Sequence, residues 1–178
     1  PVQKVSIISR GMMGGFTRAL PTEDLSLESR KKLFANMVSM LGGRAAEEIM
    51  FDDITSGASS DIERVTKLAR SMVTRLGMSE KLGPMVYGQK EEMVFLGREI
   101  SEQRDYSEAV AQEIDREVQS AVSEAYKTAK EILEKYKDKL IAVAERLLEV
   151  ETISNKEFEA IFPPPVEKNQ GIPAIIAE

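Results

Sequence analysis

The chain has 178 residues, of which 42% are hydrophobic and 30% are charged, as is usual for a soluble globular protein. Its formal net charge of −6 argues against a nucleic-acid-binding surface, because such surfaces carry a basic stripe and aromatic platforms. The absence of cysteine excludes a disulfide framework and a thiolate metal site, and no apolar run approaches the roughly 18 residues of a membrane span. We therefore expect this piece of chain to be soluble.

Two short extended segments come first. Residues 2–9 alternate in polarity and are rich in Val and Ile, and residues 14–20 follow after the turn-forming pair Arg10-Gly11. We expect the two segments to pair, and because both are short we expect a small sheet beside helices rather than a β domain. Two interpretations of the hairpin stay open: a packing flap, or an edge that pairs with an extended peptide substrate.

Residues 27–50 keep one helical stripe of apolar residues across Gly42-Gly43. Each glycine inside a helix costs about 1 kcal/mol relative to alanine, so we expect two helices, or one helix with a kink. Glu48 lies near the edge of the stripe, whereas Glu47 points away from it. Glu48 is thus a candidate metal ligand, although an ion pair with Arg44 one turn earlier would also explain it.

A second helix opens in the stretch ITSGASSDIER, residues 54–64, and is predicted to run to about Leu76. On a helical projection Asp61 falls about 20° from Met72, inside the apolar arc, and should therefore point inward. An inward carboxylate is costly unless it is hydrogen-bonded, ion-paired or bound to a metal. The alternative is that Asp61 complements the helix dipole and that Ser60-x-x-Glu63 forms a capping box.

The remaining elements are predicted from turn residues, periodicity and capping signals. Residues 77–84 form a turn-rich connection, residues 85–88 a short strand and residues 91–103 a mobile loop. Asp105-x-x-Glu108 caps a long helix that breaks near residues 136–138 and continues through Leu148, with an apolar stripe typical of core or helix-pair packing. Ser154-x-x-Glu157 opens a last short helix, and the proline-rich residues 163–178 form a disordered tail.

Four separated segments resemble the FtsH family of ATP-dependent zinc metalloproteases. They are GGRAAEE at residues 42–48, ITSGASSDI at 54–62, MVTRLGMSEKLGP at 72–84 and RDYS at 104–107. They occur in the family's order, and the resemblance covers roughly Val2 to Phe162. In the family pattern T-[TS]-G-A-x-x-D-[IL] the aspartate is the third zinc ligand, and the resemblance assigns that role to Asp61, with Glu48 as its rival.

The resemblance implies that residues 2–162 are the C-terminal portion of an FtsH-type peptidase domain. The fold class is then mainly α with a small β hairpin or sheet, ending in a long helical hairpin or bundle. The implied activity is zinc-dependent hydrolysis of protein substrates in quality control. The parent protein would be a membrane-anchored homo-hexamer with its own AAA ATPase module, which uses ATP and Mg, at the bacterial inner membrane facing the cytoplasm or at an equivalent organelle membrane.

The chain contains no histidine. In the family an H-E-x-x-H helix supplies two zinc-binding histidines and the general-base glutamate, and it lies just upstream of a segment like residues 2–8. We therefore expect the chain to start after that helix and, by itself, to be inactive and to bind no zinc tightly, so no catalytic residue is assigned. The alternative is a non-catalytic oligomerisation or scaffold module built on the long helices.

Overall fold

The computed structural model describes residues 2–8, 15–19, 27–88 and 105–163. In chain order the elements are β1 (Val2–Ser6), β2 (Phe16–Ala19), α1 (Arg30–Phe51), a 3₁₀ turn (Ser56–Ala58), α2 (Ser59–Thr74), α3 (Glu108–Lys135), α4 (Lys137–Val150), β3 (Thr152–Ser154) and α5 (Asn155–Ile161). The fold is mainly α with a small sheet, as predicted. The chain divides into a helical unit, Leu25–Tyr136, and a sheet unit made of Pro1–Asp24 and Lys137–Glu178.

Helix α1 is continuous through Gly42-Gly43, so the alternative of two separate helices is wrong and a single helix spans the glycine pair. Ser29 caps its N-terminus by accepting a hydrogen bond from the Lys32 amide at 3.2 Å. The buried residues Leu41 and Ala45 flank the glycine pair. Their burial at helical spacing on both sides compensates for the low helix propensity of the glycines.

The core of the helical unit lies where α1, α2 and α3 pack together. Its fully buried larger side chains include Met37, Val65 and Ile114. Small residues let the helices approach closely, among them Ala45, Ala69, Ala125 and Ala129, which are 0–2% exposed. The predicted apolar stripe of α3 includes Ile114, Val118, Ala125 and Ala129, which are buried, and Ile132, which is 46% exposed. Ala111, which is not part of that predicted stripe, is also buried.

The segment after α2 was predicted only in part. The turn is confirmed: Gly77 has a φ of +59°, and a Cβ added at that position would lie only 2.9 Å from the Cα of Pro84. The predicted strand at residues 85–88 is wrong: these residues are coil, Met85 is 57% exposed, and the Tyr87 amide donates to the Thr74 carbonyl. A strand needs a partner, and none lies beside this segment among the described residues. The loop predicted at residues 91–103 lies outside the described residues.

The start of α3 also corrects the prediction. Ser107 is the N-cap and accepts from the Val110 amide, and the helix begins at Glu108. Asp105 instead accepts a hydrogen bond from the Gly88 amide at 2.7 Å. The predicted break near residues 136–138 is confirmed, since α3 ends at Lys135 and α4 begins at Lys137.

In the sheet unit β1 lies between β2 and β3, and both pairings are antiparallel. The predicted pairing of the first two segments is confirmed, whereas β3 was not predicted. Ile153 on β3 is completely buried, and the Ser6 hydroxyl lies 2.9 Å from that of Thr152. Because β1 has β2 on one side and β3 on the other, an added strand could pair only with the outer edge of β2 or β3.

A capping box starts α5 as predicted, with the Ser154 and Glu157 side chains each bonded to the other's backbone amide. The segment predicted as a disordered tail lies outside the described residues beyond Pro163. None of the helices in the described ranges has both the length and the apolar composition that a bilayer span requires.

Candidate functional site

The loop between α1 and α2 is held by Glu47, near the end of α1. The Thr55 amide donates to Glu47 Oε2 at 2.9 Å, and the Thr55 hydroxyl donates to Glu47 Oε1 at 3.0 Å. Within the loop, Asp52 adopts a left-handed conformation, with φ 52°, and Asp53 accepts a hydrogen bond from the Ile54 amide. Glu47 does point away from the apolar stripe, as expected, but it points toward this loop.

The 3₁₀ turn that follows leads directly into α2. Thr55 caps it, because its Oγ1 accepts a hydrogen bond from the Gly57 amide at 3.1 Å. Helix α2 starts at Ser59, so Ser60 is already inside the helix and the predicted capping box does not form. Glu63 instead forms an ion pair with Lys67 one turn later. The hydrogen bond that Lys67 donates in this pair lowers the pKa of Glu63.

Asp61 lies in the first turn of α2, where a negative charge is favoured by the helix dipole. The helix face is the predicted one, since Val65 and Ala69 on it are completely buried. The carboxylate is nevertheless less buried than the prediction implies, because the Asp61 side chain is 41% exposed and its Oδ1 lies 3.5 Å from Arg64. At the first turn of α2, the other described residues cover the face that carries Asp61 only in part. The Asp61 carboxylate therefore remains accessible, and its exposed ion pair is weak.

Glu48, the rival candidate, is engaged by two side chains of α3. The Tyr126 hydroxyl donates to its Oε2, and Lys130 Nζ lies 2.7 Å from its Oε1. The hydrogen bond from Lys130, followed by that from Tyr126, lowers the pKa of Glu48. Burial and the hydrogen bond to Glu48 raise the pKa of Tyr126. The predicted direct pairing with Arg44 gives way to these partners, and a metal at Glu48 would have to displace them.

The described residues contain no cluster of three or more His, Cys, Asp or Glu side chains that could hold a metal ion. A catalytic zinc ion requires three protein ligands and an open position. Asp61, as an accessible carboxylate, fits one of these ligand positions.

Sequence reasoning missed the hydrogen-bond partners of Glu48 and of Glu47. Tyr126 and Lys130 are one helical turn apart on α3, which indicates a shared face, but nothing in the sequence connects that face with Glu48. Thr55 stands just before the 3₁₀ turn, a usual capping position, and this signal could have identified it as a turn-fixing residue.

Comparison with known proteins agrees with the motifs. The model of Peptidase family M41 matches residues 1–161. The chain is 53% identical over 165 residues to the ATP-dependent zinc metalloprotease FtsH 1 of Thermomicrobium roseum, covering 93% of this chain and 25% of that protein. It is 51% identical over 169 residues to the ATP-dependent zinc metalloprotease FtsH of Thermotoga maritima, covering 94% of this chain and 28% of the relative.

The chain thus spans about a quarter of the length of these relatives. The family match includes almost all the described residues, and the four motif segments found in the sequence lie within it. The chain belongs to peptidase family M41, and its resemblance to the FtsH proteases is confirmed.

Proposed function

We propose that this chain is the C-terminal portion of the peptidase domain of an ATP-dependent zinc metalloendopeptidase, and that Asp61 is a zinc ligand. The observation that carries the assignment is the contrast between the two candidate carboxylates. Asp61 is 41% exposed at a helix start and has a weak partner, whereas both oxygens of Glu48 are engaged by Tyr126 and Lys130. Of these two carboxylates, Asp61 is the one that can accept a metal without breaking hydrogen bonds to a neighbouring helix.

When bound, zinc supplies Lewis-acid polarisation of the peptide carbonyl and lowers the pKa of its bound water. Asp61 would hold the metal through one charged oxygen donor. Two further ligands and a general base are required, and on the basis of the family resemblance we propose that an H-E-x-x-H helix upstream of residue 2 supplies them. The chain by itself is therefore proposed to lack peptidase activity and tight zinc binding.

The parent protein is proposed to be a membrane-anchored homo-hexamer that degrades protein substrates in quality control. Support comes from the relatives, whose names describe ATP-dependent zinc metalloproteases, and from the family resemblance. An AAA module using ATP and Mg would deliver unfolded substrate to the peptidase domain. The membrane is proposed to be the bacterial inner membrane, with the peptidase on the cytoplasmic face, or an equivalent organelle membrane.

The ligand assignment is tested in the full-length parent protein with Asp61→Asn and Glu48→Gln. Asp61→Asn is expected to lower zinc affinity by more than about 100-fold and nearly to abolish proteolysis, since losing even an outer hydrogen-bond partner of a metal ligand costs 10- to 100-fold. Glu48→Gln should retain zinc and most activity. Full zinc occupancy and full activity in Asp61→Asn would refute the assignment and make Glu48 the next candidate.

The proposed inactivity of the isolated chain has its own measurement. Calorimetric titration of the untagged chain with zinc at neutral pH should show no stoichiometric binding with a sub-micromolar Kd, because one carboxylate does not make a three-ligand site. Stoichiometric sub-micromolar binding would reveal a site formed by other residues of the chain.

The second candidate, a non-catalytic oligomerisation module, is favoured by apolar residues exposed on the long helices. Ile132 on α3 is 46% exposed and Leu148 on α4 is 78% exposed. Sedimentation equilibrium of the isolated chain measures self-association directly. If the full-length sequence lacks H-E-x-x-H upstream of residue 2, the peptidase proposal falls and this one remains.

A further inference from the structure

Glu47 connects the end of α1 to the segment that starts α2. Its Oε2 accepts a hydrogen bond from the Thr55 amide at 2.9 Å. The Thr55 hydroxyl lies 3.0 Å from Oε1 and 3.1 Å from Oε2 and donates to the same carboxylate. Thr55 is the last residue before the 3₁₀ turn. These contacts fix the far end of the α1–α2 loop on α1, one residue before the helical backbone begins.

The contact continues from Thr55 into the turn. Thr55 Oγ1 uses its proton toward Glu47 and its lone pair toward the Gly57 amide, at 3.1 Å. A Cβ on Gly57 would lie 3.2 Å from Thr55 Oγ1 and 3.7 Å from Glu47 Oε1, so glycine permits this close approach. Asp61 follows four residues later, in the first turn of α2. The backbone between Gly57 and Asp61 is helical, so the position of Gly57 influences where the Asp61 side chain leaves the backbone.

The start of α2 needs an external anchor. Ala58 occupies the N-cap position and has no polar side chain with which to cap the helix. The first turn therefore lacks the side-chain hydrogen bond that ordinarily fixes a helix start. A metal ligand must be held within about 0.5 Å of its productive position, and a frayed first turn does not provide this.

We propose that Glu47 is a positioning residue that acts through Thr55 to hold the turn presenting Asp61 to the metal. This rests on the proposed role of Asp61 as a zinc ligand. Glu47 is not a ligand itself, because both its oxygens are engaged by Thr55. The hydrogen bonds are exposed, and such bonds contribute little to global stability, so their loss should alter the site much more than the fold.

The test uses Glu47→Ala, Thr55→Val and Thr55→Ser in the full-length protein, together with Glu63→Ala as a control. The control removes a carboxylate from α2 that pairs with Lys67 instead of with the loop. Zinc affinity is measured by competition with a chelator, kcat and KM on a short peptide, and thermal stability by melting. In the isolated chain, exchange of the Gly57 amide with solvent reports the turn without any metal.

Glu47→Ala and Thr55→Val are expected to weaken zinc affinity about 10-fold, the lower end of the 10- to 100-fold range for direct hydrogen-bond partners of metal ligands, because both residues act on Asp61 only through the turn. Both should lower kcat at nearly constant KM, speed exchange at Gly57 and change the melting temperature little. The double variant should be no worse than either single variant, because both remove the same contact. Thr55→Ser, which keeps the hydroxyl, and Glu63→Ala should resemble the unchanged protein.

The inference is overturned if Glu47→Ala retains zinc affinity and slow Gly57 exchange, if Thr55→Ser fails as Thr55→Val does, or if zinc loss merely follows a large loss of stability. Asp61→Asn separates this from the ligand assignment. Loss of zinc in Asp61→Asn with full zinc affinity in Glu47→Ala rejects only the positioning role. Full zinc affinity in Asp61→Asn rejects the ligand assignment and, with it, the positioning role.

Discussion

Replacing Met37 by alanine tests the packing that positions the start of α2. Met37 lies on α1, is completely buried and belongs to the same core cluster as Val65 of α2 and Ile114 of α3. Met37→Ala removes three heavy atoms, and at about 0.8 kcal/mol for each methylene-sized group the lost transfer free energy is about 2.4 kcal/mol. The residual cavity adds to this, so we expect a loss of about 3 to 4 kcal/mol in the free energy of unfolding, within the range of about 2 to 5 kcal/mol typical of such changes.

The matched control is Met85→Ala, the same substitution at a residue that is 57% exposed. Its loss should be about 1 kcal/mol or less, because much of the side chain is already in water. Urea unfolding of the isolated chain measures both, and the dependence on urea should keep its slope if only the native core has changed. A loss below about 1 kcal/mol for Met37→Ala, or equal losses for the two variants, would refute the assignment of Met37 to the core.

Three further predictions concern other parts of the chain. The hydrogen bond from Lys81, followed by that from Ser79, lowers the pKa of Glu117. The contribution of the Glu117 carboxylate to stability is therefore complete above the ordinary glutamate pKa and is lost as the pH falls through the lowered pKa. Glu117→Gln should therefore destabilise at pH 7 in urea unfolding, with a difference that shrinks toward pH 3; a constant difference would contradict this. Ser154→Ala should cost about 1 kcal/mol in the same assay by removing the capping box with Glu157, and no change would mean that this box is not stabilising. A chain ending at Phe162 should melt within about 5 °C of the full chain, because residues 163–178 offer little apolar surface to bury, and a larger drop would show that this segment packs.

The long helices were predictable because their apolar residues repeat with helical spacing. The stripe on α3 located Ile114 and Val118, which are buried, and the break predicted near residues 136–138 agrees with the end of α3 at Lys135 and the start of α4 at Lys137. The strand β3 was not predictable, since three residues are too few to show alternation and its partner β1 is remote in sequence. The opposite error, a strand at residues 85–88, has the same cause: local sequence does not reveal whether a partner exists.

At the candidate site, sequence placed Asp61 on the correct helix face but not its exposure. Projection onto an ideal helix gives direction, whereas exposure depends on how far neighbouring elements extend, and at the first turn of α2 their cover is partial. The partners of Glu48 lie 78 and 82 positions away, on α3, and no periodicity connects them. Glu47 was set aside because it faces away from the apolar stripe, yet that direction is what brings it to Thr55.

The central position of β1 in its sheet affects the order in which the chain folds. Thr152 lies 146 positions after Ser6, so the pairing of β1 with β3 must wait until nearly all of the described chain has been synthesised. The helical unit, in contrast, is continuous in sequence from Leu25 to Tyr136. Contacts between distant positions are slow to form because a long loop must be closed first. During synthesis, therefore, the three-helix core that carries Asp61 can assemble on the ribosome while β1 still lacks one of its two neighbours.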